Sequence, residues 1–141
     1  MSTVSEQAVR SAEHIYHEWD KALGAKDVEA AIALYAQDCA LESPLVRHLL
    51  GSEDGIVVGR EKLREFVRLV FEHQPAARQR YRKGFFTDGH TLIWEYPRTR
   101  PDGEQMDFVE VMEVHDGLIR RHRVYWGWYG LKLLQEGGHH R

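Results

Sequence analysis

The feature that most constrains this chain is a change of hydrophobic period near residue 75. Before it, apolar side chains recur at helical spacing; after it, they alternate with polar ones. From about Ser5 to Leu23, the residues Ala8, Ala12, Ile15, Tyr16, Trp19, Ala22 and Leu23 form one stripe. Glu13, His14, Glu18 and Lys21 fall mostly on the other side, which predicts an amphipathic first helix. Gly24 stops it. Asp27 can cap a short second helix carrying Val28, Ile32 and Tyr35 and ending near Gln37. A strand is expected over Cys39 to Ser43, closed by Pro44. Residues Leu45 to Val58 lack clear periodicity and read as a loop over one end of the domain. Gly59 opens a third helix with a buried stripe of Leu63, Phe66, Val67 and Val70, ending before Pro75.

Beyond that point, strands are expected at about 78–87, 91–98, 105–114 and 118–128. They are joined at Asp88-Gly89, Pro101-Asp102-Gly103 and Asp116-Gly117. Helices followed by a meander predict an α+β fold, a cone-shaped curved antiparallel sheet wrapped around three N-terminal helices. Such a sheet encloses a cavity between itself and the helices.

With 141 residues and 43% hydrophobic content, the chain has material for one core. A single domain over 1–136 with a disordered tail over 137–141 is expected. The formal net charge is -3 and the basic residues are scattered, so neither nucleic acid nor a membrane is expected as partner. Cys39 is the only cysteine, and no leader-like or membrane-length apolar run is seen. The expected location is cytoplasmic.

The most informative stretch is the hairpin MDFVEVMEVHDGLIRRHRVYWGWYG. Alternation puts Phe108, Glu110, Met112 and Val114 on one face of its first strand. Leu118, Arg120, His122, Val124 and Trp126 share one face of the second. A three-residue loop at His115, Asp116 and Gly117 would pair Glu110 with His122; a two-residue Asp-Gly turn would pair Glu110 with Arg123. The first register is preferred because it gathers Phe108, Met112, Val124 and Trp126 and leaves Arg121 and Arg123 outside. An acid and an imidazole roughly 5 Å apart among aromatics are suited to acid–base work. The plain alternative is a buried ion pair that satisfies itself.

Leu92, Trp94 and Tyr96 should share the inner face of their strand. The cavity is then expected to be lined by Tyr16, Trp19, Trp94, Tyr96, Glu110, His122 and Trp126, which favours a flat or cyclic apolar ligand bearing one or two oxygens. Ser43, where the first strand enters the loop, is a candidate hydrogen-bonding residue of the same pocket, and Arg120 a competitor for Glu110. His14, His17, His139 and His140 form no recognisable metal set, and no phosphate cradle, nucleophile elbow or dinucleotide motif is present. Neither a metal nor a cofactor is expected.

The runs DVEAAIALYAQDCALESP, VVGREKLREFV and VMEVHDGLIRRHRVYWG resemble the NTF2-like superfamily and its SnoaL-like and ketosteroid-isomerase-like branch, over roughly Glu13 to Leu134. The resemblance implies an NTF2-like, cystatin-like α+β fold; function varies across the superfamily, from isomerases and dehydratases to non-catalytic binders. Carried over residue by residue, the general-base aspartate of the isomerases falls on Ser43 of LESP and their oxyanion-hole tyrosine on Trp19. Their second oxyanion acid falls on Glu110, which fits. The epoxide-hydrolase pattern would fall near Tyr96, Arg98 and Val124 and lacks its acids. A histidine paired with a carboxylate and helped by tyrosines resembles scytalone dehydratase in outline.

The expectation is therefore a cofactor-independent isomerase, dehydratase or cyclase acting on an apolar cyclic or polyketide-like molecule, with His122 as base, Glu110 orienting it, and Tyr16 or Tyr96 donating to an oxyanion. The alternative is a non-catalytic ligand-binding or dimerisation module. Val109, Val111, Ile119 and Tyr125, framed by Asp107, Arg121 and Arg123, suggest a sheet-to-sheet contact. The resemblance likewise implies a homodimer through that surface.

Overall fold

A computed structural model describes residues 6–73, 84–99 and 105–135. The order is α1 (Glu6–Ala25), α2 (Val28–Ile32), β1 (Tyr35–Glu42), α3 (Pro44–Leu50), β2 (Ile56–Val58), α4 (Arg60–His73), β3 (Phe86–Thr87), β4 (Thr91–Thr99), β5 (Gln105–His115), β6 (Leu118–Trp126) and α5 (Trp128–Gln135). The strands form one six-stranded sheet in the order β2-β1-β6-β5-β4-β3. The sheet is mixed: β1 runs parallel to β6, and every other pair is antiparallel. The chain is thus α+β, as expected, with one parallel contact where antiparallel pairing throughout was expected.

The amphipathic stripes bury as their spacing demands. Ala12, Ile15, Tyr16, Trp19, Ala22 and Leu23 of α1 and Leu63, Phe66, Val67 and Phe71 of α4 join inward residues of the sheet in one hydrophobic cluster. Leu92 and Trp94 face inward on β4, while Ile93 and Glu95 face out.

The stretch read as a loop over 45–58 holds α3 and β2. Ser43 caps α3, its Oγ accepting from Leu45 N at 3.2 Å; Pro44 occupies the first turn and Gly51 ends the helix with φ 69°. Tyr35, expected on the second helix, instead begins β1, because α2 lasts one turn and closes at Ala33. Trp128, expected at the end of the last strand, opens α5, for which alternation carries no signal. Of the strand expected over 78–87, residues 78–83 lie outside the described set, as does the tail 137–141.

The β5–β6 hairpin corrects the preferred register. Asp116 and Gly117 both have positive φ, 53° and 77°, so the turn has two residues and His115 pairs with Leu118. Arg120 is then the extra residue of a bulge: Val114 pairs with Ile119, but Glu113 with Arg121, Met112 with His122 and Glu110 with Val124. Turn and bulge each shift the register by one, and together they restore the parity beyond Arg120. Glu110 and His122 thus share the inner face as diagonal neighbours; neither the Glu110–His122 nor the Glu110–Arg123 pairing forms. On the turn side of the bulge the parity is reversed. Ile119 is fully buried, and Arg120 faces outward to Asp38 at 2.8 Å, so it does not compete for Glu110.

Candidate functional site

Four elements, α1, β1, β5 and β6, bring four polar side chains into one buried line. Trp19 of α1 donates its indole N–H to the Tyr35 hydroxyl of β1 at 3.3 Å. The Tyr35 hydroxyl lies 2.7 Å from His122 Nδ1, and His122 Nε2 lies 2.6 Å from Glu110 Oε1. Glu110 and His122 are only 3% and 2% exposed, so each depends on its partner for what water would otherwise supply. The Tyr35 backbone is tied to α4 by Arg60, whose Nε donates to its carbonyl at 2.7 Å.

The chemistry of the donors gives this line a direction. An indole nitrogen can only donate, and an ionised carboxylate can only accept. Beside ionised Glu110, His122 therefore carries its hydrogen on Nε2, and in the neutral ring Nδ1 accepts from the Tyr35 hydroxyl. When the ring takes a second proton, Nδ1 donates instead. Tyr35 oxygen then accepts from both Trp19 and His122, and its own hydrogen must point elsewhere. Burial, reinforced by the Glu110 charge, holds Tyr35 far above the usual phenol range, although the Trp19 hydrogen bond opposes this. The phenol is a neutral donor throughout the physiological range.

The line borders a cavity of about 80 Å³ whose walls include Trp19, Tyr35, Ser43, Glu110, His122 and Trp126, with Phe66, Phe71, Phe108 and Val124 supplying apolar surface. Five of the residues anticipated at the site therefore meet there: Trp19, Ser43, Glu110, His122 and Trp126. Tyr16 and Trp94 do not line it. Tyr16 sits almost one helical turn before Trp19 and packs on Phe85 and edge-on to Trp94, at ring separations of 4.6 and 5.2 Å. Trp94 is in turn covered by Trp19 at 5.4 Å, so both rings are core behind the cavity wall. Tyr96 pairs with Phe108 through its backbone; its side chain lies outside those described. Ser43 uses its oxygen to cap α3 and still holds a hydroxyl hydrogen to donate.

Tyr35 is the residue that sequence reasoning left out of the site. Alternation carries no signal for it, because Gln37, at the same parity between Tyr35 and Cys39, is exposed and the β1–β6 register shifts between Tyr35 and Ala40. Among the described residues no group of three or more His, Cys, Asp or Glu side chains is arranged to hold a metal ion. No described helix is long and apolar enough to cross a membrane.

Helices on one face of a six-stranded sheet, with an acid–imidazole pair on that inner face, make this a small α+β protein. Residues 16–122 match the SnoaL-like domain, and the chain belongs to that family. Solved structures carry the same NTF2-like fold. A SnoaL-like protein of unknown function from Burkholderia thailandensis is 17% identical, with 89% of this chain and 99% of that chain covered and a TM-score of 0.72. An NTF2-like protein of unknown function from Mesorhizobium loti is 19% identical, with 90% and 99% covered and a TM-score of 0.69. A Kribbella flavida protein provisionally named a ketosteroid isomerase is 22% identical, with 84% and 78% covered and a TM-score of 0.64. No curated protein shows a significant match.

Proposed function

We propose that this protein is a small-molecule-binding, cofactor-independent acid–base enzyme, an isomerase, dehydratase or cyclase. Its substrate is an apolar cyclic or polyketide-like molecule with an oxygen that reaches Tyr35. The observation that carries this reading is the buried Tyr35–His122–Glu110 line on the wall of an apolar cavity.

Because both His122 nitrogens are engaged, the groups that meet substrate in this proposal are Tyr35 and Glu110, and His122 links them. The starting form has Glu110 ionised and His122 doubly protonated. Glu110 takes a proton from the carbon beside a substrate carbonyl, and the electron pair left behind moves onto the carbonyl oxygen. That oxygen takes the Tyr35 hydroxyl hydrogen, while His122 Nδ1–H replaces it on Tyr35. Glu110 is now neutral and His122 carries one proton, so total charge is unchanged. For an isomerisation, Glu110 returns its proton to a different carbon while the enol hydrogen goes back to Tyr35 and the Tyr35 hydrogen to His122 Nδ1, which re-forms the carbonyl and the starting charges. For a dehydration, the Tyr35 hydrogen goes instead to a hydroxyl on the carbon next to the deprotonated one, its C–O bond breaks as the C=C bond forms, and water leaves; loss of the Glu110 proton to water and uptake of one by His122 restore the starting form. No phenolate forms, which agrees with the upward displacement of Tyr35.

Deuterium exchange tests this without knowledge of the physiological substrate. In D₂O, protein-catalysed exchange beside the carbonyl of small cyclic enones such as 2-cyclohexen-1-one, read by proton NMR, is expected for the wild type. It should fall at least about a hundredfold in Glu110→Gln and Tyr35→Phe. Exchange no faster than buffer in the wild type would leave the non-catalytic binder, a reading favoured by the mutual satisfaction of Tyr35, His122 and Glu110.

We also infer a homodimer through the outer sheet face. Ile93, Val109, Val111 and Tyr125 adjoin across β4, β5 and β6, with Tyr125 51% exposed, and Arg123 and Glu113 form an ion pair beside them. Ile119 drops out of the expected set because it is buried inside.

A further inference from the structure

We infer that the site has a second compartment, an open groove outside the cavity that holds the flat, neutral body of the ligand while an oxygen-bearing end reaches Tyr35 and Glu110. The inference rests on the cavity reading above and extends it to the shape of the ligand. A cavity of about 80 Å³ is too small for the molecules proposed, since an apolar cavity of about 150 Å³ is the size that takes up a single benzene ring. Only one end of such a ligand fits inside.

The adjoining groove is large enough for the rest, at about 480 Å³. It exists because β1 leaves the sheet after Glu42, opposite Arg123, while β6 continues to Trp126 without its parallel neighbour. The groove runs from the start of α3 and the turn before β2 to the end of β6 and the first residue of α5. Ser43, Val124 and Trp126 border both spaces and so form the partition between them. Trp128 gives the groove an aromatic surface, 75% exposed. Lys132 sits over the Trp128 ring at 5.9 Å and leaves the indole largely exposed.

The charges around the groove select against an anionic body. Arg47 on its lining and Lys132 over Trp128 are set against Glu42, Glu53 and Asp54, so a phosphate- or carboxylate-bearing tail still finds a net negative rim. A neutral aromatic or unsaturated ring stacked on Trp128 suits it. Trp126 is the side chain that must yield for a ligand to span both spaces. It lies flush on the α5 backbone, where a Cβ on Gly130 would come within 2.5 Å of the indole. Gly130 therefore sets the position of the partition.

Two probes of different length separate the compartments: phenol, of which only the hydroxyl-bearing edge enters the cavity, and 4-phenylphenol, which adds a second ring to lie along the groove. Binding is followed by chemical-shift titration of the tryptophan indole and His122 signals in the wild type, Trp128→Ala and Tyr35→Phe. The expected result is that 4-phenylphenol binds at least tenfold more tightly than phenol. Trp128→Ala should cut that advantage below threefold with phenol affinity unchanged, and Tyr35→Phe should weaken both probes. Equal affinities, or an advantage that survives Trp128→Ala, overturns the groove while the cavity reading stands. Insensitivity of both probes to Tyr35→Phe, or binding of neither up to its solubility limit, overturns both.

Discussion

At the scale of single residues, Tyr35 decides what the Glu110–His122 pair can do. Without it, one imidazole nitrogen would face the cavity directly and His122 would be the base that contacts substrate, as the sequence suggested. With it, His122 becomes a link between two groups that meet the ligand. Two consequences follow for stability. Tyr35 holds its proton more tightly in the fold than in the unfolded chain, where its value is the ordinary 10.0. The unfolded state therefore releases that proton first, and stability present below pH 10 is lost progressively above it. Alkaline unfolding, followed by circular dichroism from pH 9 to 11.5, should show this loss in the wild type and a flatter profile in Tyr35→Phe. His122→Ala removes the imidazole partner of a buried carboxylate and should cost about 3–5 kcal/mol in urea denaturation. A cost under about 1 kcal/mol would mean that Glu110 is adequately held without it.

The acid and the histidine were legible because strand alternation is insensitive to an even shift of register. Tyr35 was not, because a one-turn helix and the opening of a strand look alike over three residues.

At the scale of elements, the β6 bulge and the α3 cap place the site. The turn shifts the hairpin by one residue, and the extra Arg120 shifts it again, so His122 faces inward only because both occur. Deleting Arg120 takes out the extra residue and leaves Glu113 opposite Arg121 and Met112 opposite His122, so His122 should still face inward and the cost should match that of Arg120→Ala, each losing only an exposed ion pair. Comparison of the two variants by chemical denaturation checks this. A much larger cost for the deletion would show that Arg120 is not the extra residue that restores the facing of His122.

Ser43→Ala, which removes the α3 cap, should cost about 1 kcal/mol by the same measurement. Helix α3 could have been read from Ser43, Pro44 and Gly51, a start and stop pattern, but Pro44 was spent on ending the strand. The bulge left no signal: two consecutive arginines, Arg120 and Arg121, suit either an exposed bulge or a regular strand. Helix α5 was hidden by aromatics that extend the strand pattern past Gly127.

At the scale of the whole molecule, the change of hydrophobic period was enough to predict helices packed on a curved sheet with a hollow between them. It could not predict the parallel β1–β6 contact, which depends on where a short strand returns, or the size of the cavity, which depends on side-chain packing. Tyr16 and Trp94 illustrate the second point: their inward facing was readable, but which aromatic rings fill the core and which line a void was not. The proposed dimer belongs to this scale. Tyr125→Arg places a charge at the centre of the inferred contact and should shift the mass measured by light scattering on size-exclusion chromatography from two chains to one. A wild type that runs as one chain would contradict the interface.

The direction of the buried line is the central claim, and it can be read with no substrate at all. Long-range ¹H–¹⁵N NMR of the His122 ring across a pH titration distinguishes a protonated nitrogen from an accepting one. The account predicts a neutral form with hydrogen on Nε2 and an accepting Nδ1, and a Tyr35→Phe variant in which the Nδ1 signal alone moves. A neutral ring protonated on Nδ1, or a His122 signal indifferent to Tyr35, would contradict it.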